Sequence, residues 1–251
     1  MTLHSAAFIR SIANIRGDDL DAVVRATGIG LDAIYIDLEE PRTPFSEGDR
    51  SRVRGEVGNW LHGRSPRTRT RLLARVQSIR SGQMLADAEA IACPALAGIV
   101  LPKVGGPRDV LAADALLTAL ESERGLTSGS LLIYPILETA QALRQAYAIA
   151  TASPRVAYMG GAVSRFGDIG QALGYRWTPG GRESFMFRSA ALLDCRPAGM
   201  PYPITGASSH DVDDLTGVRR WAEEGRALGY QGSQVRALAS RVAIVNEVFS
   251  T

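Results

Sequence analysis

The sequence is poor in the residues from which disulfide frameworks, zinc sites and thiol or histidine chemistry are built. Its 251 residues include two cysteines, Cys93 and Cys195, and three histidines. The cysteines form no Cys-x-x-Cys motif, which excludes a disulfide scaffold, fits a reduced cytoplasmic setting and leaves both thiols as core fillers. His4, His62 and His210 lie far apart and none belongs to a His-Glu-x-x-His pattern, which argues against histidine-ligated zinc. Lysine is scarcer still: Lys103 is the only one, and arginine carries the rest of the basic charge. No apolar stretch approaches the roughly 20 residues that span a bilayer. The opening MTLHSAAFIRSIANIRG meets charge before any signal-length apolar run. Gly-x-Ser-x-Gly, a phosphate loop ending Gly-Lys-Ser/Thr and Gly-x-Gly-x-x-Gly after a strand are all absent. A net charge of +2 exerts no pull on nucleic acid or a membrane, so neither is expected as a partner.

What is present is an alternation. Short β-rich runs (AAFIRSI, AIYIDLE, RLLARVQ, AGIVLPK, LLIYPILE, RVAYMGG, then the weaker YPIT and GSQVRAL) are separated by segments with apolar residues every three or four positions. Those segments include DDLDAVVRAT, MLADAEAIA, VLAADALLTALES, TAQALRQAYAIA, SFMFRSAALLD and LTGVRRWAEEGRAL. Strand followed by helix, repeated, forces parallel pairing through crossover helices. Eight such strands in about 250 residues predict one α/β domain, a (β/α)8 TIM barrel over residues 1–251. No linker, low-complexity segment or duplicated half interrupts it.

Barrel enzymes build their sites at the C-terminal strand ends. Here strand two ends in Asp37, Glu39 and Glu40, strand three in Arg75, strand four in Lys103 and strand five in Glu138. Asp168 follows strand six. Glu138 and Asp168 leave adjacent strands, and two carboxylates in one mouth share a proton or a cation. With no histidine or thiolate at hand, their hard oxygens suit Mg²⁺, with Mn²⁺ as the alternative. A 2-oxo or 2-hydroxy acid would chelate such an ion, and Arg75 would bind its carboxylate. Glu138 and Arg75 are thus the expected substrate contacts.

Each residue also has a plainer explanation. Glu138 would sit favourably at the positive end of a helix. Asp168 would cap the helix IGQALG. The DLEE cluster would be a solvated loop, although Asp37 shares inward parity with Tyr35 and Glu39 and so suits a supporting or proton-relay role beside Arg75. Lys103 would form a Schiff base, or present an ordinary ammonium outward or toward a carboxylate; Glu39, Glu40 and Lys103 are expected to stand behind the metal ligands. The basic run GRSPRTRTRLLAR lacks interleaved aromatic platforms for nucleic acid; it reads as a solvated loop or a coenzyme phosphate contact.

Taken in order, YIDLEE, RVQS, GIVLPKV, PILETAQAL, GDIGQALG and LGYQG…VNEVF resemble the citrate lyase β-subunit/malyl-CoA lyase group of the HpcH/HpaI aldolase family, from about Phe8 to Ser250. The resemblance implies a trimeric or hexameric (β/α)8 barrel that cleaves or forms 3-hydroxyacyl-CoA thioesters such as malyl-, citramalyl- or citryl-CoA with Mg²⁺. It implies Glu138 and Asp168 as metal ligands and Arg75 as the substrate-binding arginine. The departures are Gln77 for asparagine in Arg-Val-Asn, DLEE for Asp-Leu-Glu-Asp, and no Val-Pro-Gly after strand one, where FIRSIAN stands. Ile-His-Pro near the end is replaced by VRALASRV. Longer members add a C-terminal lid whose aspartate is the general acid/base, whereas this sequence stops at Thr251 and offers no obvious base. Two other activities fit the same barrel: an aldolase acting on free 4-hydroxy-2-oxo acids, and a non-catalytic binder of acyl-CoA.

Overall fold

The structure, a computed structural model, describes residues 6–39, 45–66, 68–161, 163, 165 and 167–250. His4, Glu40 and Arg67 lie outside the described residues. In chain order the elements are β1 (Ser11–Arg16), α1 (Leu20–Thr27), β2 (Ala33–Asp37), α2 (Glu47–His62), β3 (Arg71–Arg75), α3 (Met84–Ile91), β4 (Leu96–Leu101), α4 (Pro107–Glu123) and β5 (Leu132–Leu137). There follow α5 (Ala140–Arg144), α6 (Ala146–Thr151), β6 (Gly160–Gly161), α7 (Asp168–Leu173), α8 (Arg182–Cys195), β7 (Ile204–Thr205), α9 (Leu215–Leu228), β8 (Gly232–Gln234) and α10 (Ala239–Ser250).

The strands form one parallel sheet in the order β6-β5-β4-β3-β2-β1-β8-β7. Parallel strands are covered on both faces, so they read as near-continuous apolar runs; β2 and β5 are buried at every position. Ile12, Tyr35, Leu73, Val100 and Tyr134 turn inward into one cluster, while Ile34, Ile36, Leu72, Ile99 and Ile133 pack under the helices. The sheet curls until its edges meet, and Ile204 N–H donates to the Met159 carbonyl at 3.1 Å across the gap. A Cβ on Gly160 would stand 1.8 Å from the Ile204 carbonyl oxygen, so only glycine allows that approach. The strand order is that of the expected barrel; between β6 and β7 the seam is a contact rather than a paired ladder.

Four expectations need correction. The first strand is not AAFIRSI but SIANIR. Ile15, Arg16 and Gly17 therefore occupy the end of strand one, where Val-Pro-Gly was sought, and the glycine is kept. TAQALRQAYAIA is two helices, broken at Gln145, whose side chain donates to the Gly105 carbonyl at 3.0 Å. Helix α2 was not foreseen because its sequence, EGDRSRVRGEVGNWLH, buries only Val53, Val57, Gly58 and Leu61. A Ser46 N-cap starts it, accepting from Asp49 N–H at 3.1 Å. The last three strands are shorter than their apolar runs. Both cysteines are free and buried, as a core role requires. Among the described residues no helix is long and apolar enough to cross a membrane.

Candidate active site

Strand register assembles the first half of the site. The β2–β3 ladder sets Asp37 opposite Arg75 at the C-terminal ends of both strands. Arg75 Nε donates to Asp37 Oδ1 at 2.7 Å and Nη2 donates to Asp37 Oδ2, a two-pronged pair buried from solvent. Asp37 also accepts from Asn14 Nδ2 at 3.1 Å and from Glu39 N–H at 3.0 Å. These contacts hold the Asp37 carboxylate against the Arg75 guanidinium at the end of the ladder. The third guanidinium nitrogen, Nη1, faces Glu39 Oε2 at 3.3 Å. Gln77 donates to the Leu38 carbonyl at 2.7 Å and so holds the β2 loop.

The second half is organised around Lys103. Its backbone N–H donates to Glu138 Oε1 at 2.8 Å, and its ammonium lies 2.8 Å from Glu39 Oε1 and 3.7 Å from Asp168 Oδ2. Among the described residues Lys103 is the one non-glycine with positive φ, 50°. Such conformations persist where surrounding contacts over-determine them, commonly at functional sites. Neither acid is the N-cap of its neighbouring helix. Thr139 caps α5, its Oγ1 accepting from Ala142 N–H at 2.9 Å, while Glu138 turns back to Lys103. Asp168 is the first residue of α7, whose N-cap is Gly167, and lies in its first turn.

Burial, reinforced by Glu39 and Asp168, pushes the Glu138 carboxyl up to about 7 against the pull of Arg75. Burial likewise raises Glu39 against Arg75 and Lys103. Burial pulls the Lys103 ammonium down, but the hydrogen bond and charge of Glu39, with Asp168 and Glu138 behind it, outweigh that and leave it raised. A Schiff base needs the neutral amine, so a firmly protonated Lys103 is poorly set for one.

The mouth therefore holds more negative charge than its own cations neutralise. Glu39 Oε2 is buried without a hydrogen bond, and Glu138 retains a proton near neutrality. Among the described residues no three histidine, cysteine or acidic side chains gather into an all-protein metal cage. Two carboxylates with water and substrate completing the shell are what Mg²⁺ takes, and Glu138 with Asp168 fits that demand.

Asp37, Glu39, Arg75, Lys103, Glu138 and Asp168 thus converge, whereas the expected Glu40 is outside the described residues. The basic run joins α2 to the N-terminal end of β3, the opposite end of the sheet from Glu138. There Arg64 lies over the Trp60 ring at 4.1 Å. Sequence reasoning missed Asn14 and His210. Asn14 lies beyond the run AAFIRSI, and His210 belongs to no histidine motif.

The chain as a whole is similar to several known proteins. The chain is 29% identical over 247 residues to a (3S)-malyl-CoA thioesterase of Cereibacter sphaeroides, covering 98% of this chain and 79% of that protein. It is 28% identical over 239 residues to an L-malyl-CoA/beta-methylmalyl-CoA lyase of the same species, covering 87% and 72%. Its backbone resembles protein CitE from Mycobacterium tuberculosis, solved in complex with magnesium and pyruvate, with a TM-score of 0.73, 18% identity and coverage of 98% and 92%. Residues 10–237, from the start of the first strand past the end of the last, match one family throughout: the chain belongs to the HpcH/HpaI aldolase/citrate lyase family.

Proposed function

We propose that this protein is a Mg²⁺-dependent carbon–carbon lyase acting on a 3-hydroxyacyl-CoA thioester such as malyl-, citramalyl- or citryl-CoA. One observation carries the proposal: a buried Glu138, crowded by Glu39 and Asp168, sits beside a guanidinium fixed by Asp37. Glu138 and Asp168 would hold the ion, with Mn²⁺ as a substitute. When bound it supplies Lewis acidity to the oxygens of a chelated 2-oxo or 2-hydroxy acid. Arg75, oriented through Nε and Nη2, would share Nη1, which faces Glu39 Oε2 at 3.3 Å, with the substrate carboxylate. Tyr35 and Tyr134 are buried in the inward-facing cluster of the same strands. In the cleavage direction the hydroxyl loses its proton and the bond from the hydroxyl carbon to the thioester α-carbon breaks. The electron pair passes to the thioester enolate, which takes up a proton, leaving a 2-oxo acid and an acyl-CoA. A cytoplasmic location and assembly as a homotrimer or homohexamer belong to the same proposal.

A second reading keeps the metal and uses free 4-hydroxy-2-oxo acids. The end of strand one favours it: Arg16 there is engaged by Asp18 at 2.8 Å instead of the Val-Pro-Gly pattern. A thermal-shift screen with Mg²⁺, glyoxylate, pyruvate, oxaloacetate and acetyl-CoA separates the two. Stabilisation by acetyl-CoA, with acetyl-CoA and glyoxylate released from malyl-CoA, supports the thioester; indifference to CoA with turnover of free acids supports the second. Metal and acyl-CoA binding without any turnover marks a non-catalytic member. If Glu138→Gln retains the full Mg²⁺-dependent shift, the metal assignment is wrong.

A further inference from the structure

Helix α8 is apolar on two faces. One face, with Phe187, Ala191, Leu192 and Cys195, is buried against the rest of the fold. The opposite face would ordinarily be charged, yet it carries Phe185, Met186, Ala190 and Leu193 into solvent. Met186 is 78% exposed and Leu193 72%, the two most exposed large apolar side chains among the described residues. Their seven-residue spacing places them on one line along the helix, with Ser189 and Ala190 between them. A helix that is apolar all round is ordinarily covered on both sides. An exposed apolar patch rimmed by charge marks an interaction surface.

The charges at the two ends of the stripe say what covers it. Glu183 and Arg196 stand where the helix dipole favours them, and both are engaged within the chain. Glu183 accepts from Thr178 N–H at 2.9 Å, and Arg196 donates to the Gly229 carbonyl at 2.6 Å. Arg182, in the first turn, and Asp194, in the last, stand at the ends the dipole disfavours. Neither side chain has a hydrogen bond or ion pair among the described residues. Helical rise keeps them roughly 18 Å apart, so they cannot pair with each other. A second copy of α8 running antiparallel answers both needs. With the crossing at Ser189 and Ala190, Met186 of one copy meets Leu193 of the other. Arg182 of each copy then comes alongside Asp194 of the other. The small residues at the crossing allow close approach, and one patch serves both sides, as a two-fold contact requires. An apolar peptide or a lipid surface would cover the stripe and leave Asp194 unpaired at its edge.

We propose that the outer face of α8 is a two-fold self-association surface, on which Met186 and Leu193 of two copies interlock and Arg182 pairs with Asp194 across the contact. It would join two single chains into a dimer, or two trimers into a hexamer. The helix contributes no residue to the acidic mouth, so the proposal does not rest on the lyase reading. The test is sedimentation velocity of the full chain, without metal, at micromolar concentration. The wild type is expected to sediment as an even-numbered assembly. Arg182→Asp and Asp194→Arg each set like charges together twice, and each should weaken association by about tenfold or more and halve the mass. Mixing the two variants in equal amounts brings opposite charges back to both contacts and should recover the full mass. A fold defect, or a role within one chain, cannot give that rescue. Leu193→Glu changes a side chain already in solvent and should also halve the mass, while Glu138→Gln should leave it unaltered. The proposal is overturned if the wild type sediments as a single chain or a trimer. It is equally overturned if Arg182→Asp or Leu193→Glu keeps the wild-type mass, or if the mixture fails to recover it.

Discussion

The β1–β5 side of the rim and the β6–β8 side are built differently. From β1 to β5 each neighbouring pair is registered over four or five residues, and Asp37 and Arg75 are paired rungs of one ladder. On the other side the ladders are two residues long, and Asp168 and His210 come from loops and helix starts. Long register places a side chain through many backbone bonds at once, whereas a loop residue is placed by the few side chains that pin it. The first arrangement suits groups that must keep one geometry. The second suits groups that meet substrates of different shape.

The largest expected effect tests the rigid side. Asp37→Ala strips Arg75 of its two-pronged partner and leaves a buried guanidinium facing Glu39 alone. Unfolding in urea should show a loss of about 3–5 kcal/mol, and a loss under 1 kcal/mol would mean the pair does not anchor this rim. Next comes pH. In the folded, metal-free chain Glu138 holds its proton to about 7, against 4.5 when unexposed to the fold's influence. The folded state therefore binds the extra proton between those values, and stability falls as pH rises through that window, by about 3 kcal/mol at most. Glu138→Gln should flatten that part of the curve, and Mg²⁺ should bind more tightly toward the upper end. An unaltered slope in the variant would reassign the proton.

The seam supplies a smaller effect. Gly160→Ala forces β6 from β7 and should cost about 2 kcal/mol, with faster amide exchange confined to β6, β7 and their loops. Exchange spreading equally into β2–β5 would erase the contrast between the two sides. Thr139→Ala removes the cap of α5 for about 1 kcal/mol, and Mg²⁺ affinity should be unchanged because Glu138 is held by Lys103 rather than by the helix.

Much of this was legible in the sequence because strands buried on both faces announce themselves. The runs proposed for β2 to β5 contain nearly every residue of the observed strands, overshooting by one or two at the charged ends. Those ends, Glu39, Gln77, Lys103 and Glu138, lie just past the last paired rung, which is where a rim residue belongs. Helix α2 escaped because only four of its positions are buried and its exposed face mixes charges with Gly48, Ser51, Gly55 and Asn59, and β6 to β8 were overlong because an apolar run marks burial and not pairing. The capping expectation for Asp168 failed on one residue: Gly167 takes that position.

Lys103 joins strand ends that are otherwise independent. One residue holds Glu138 by its main chain and reaches Glu39 and Asp168 by its side chain. The acidic groups consequently behave as a linked set: a change at any one of them redistributes the hold on the others. Variation of this mouth during divergence would have to proceed by concerted replacement, with the single lysine as the point through which every such exchange passes.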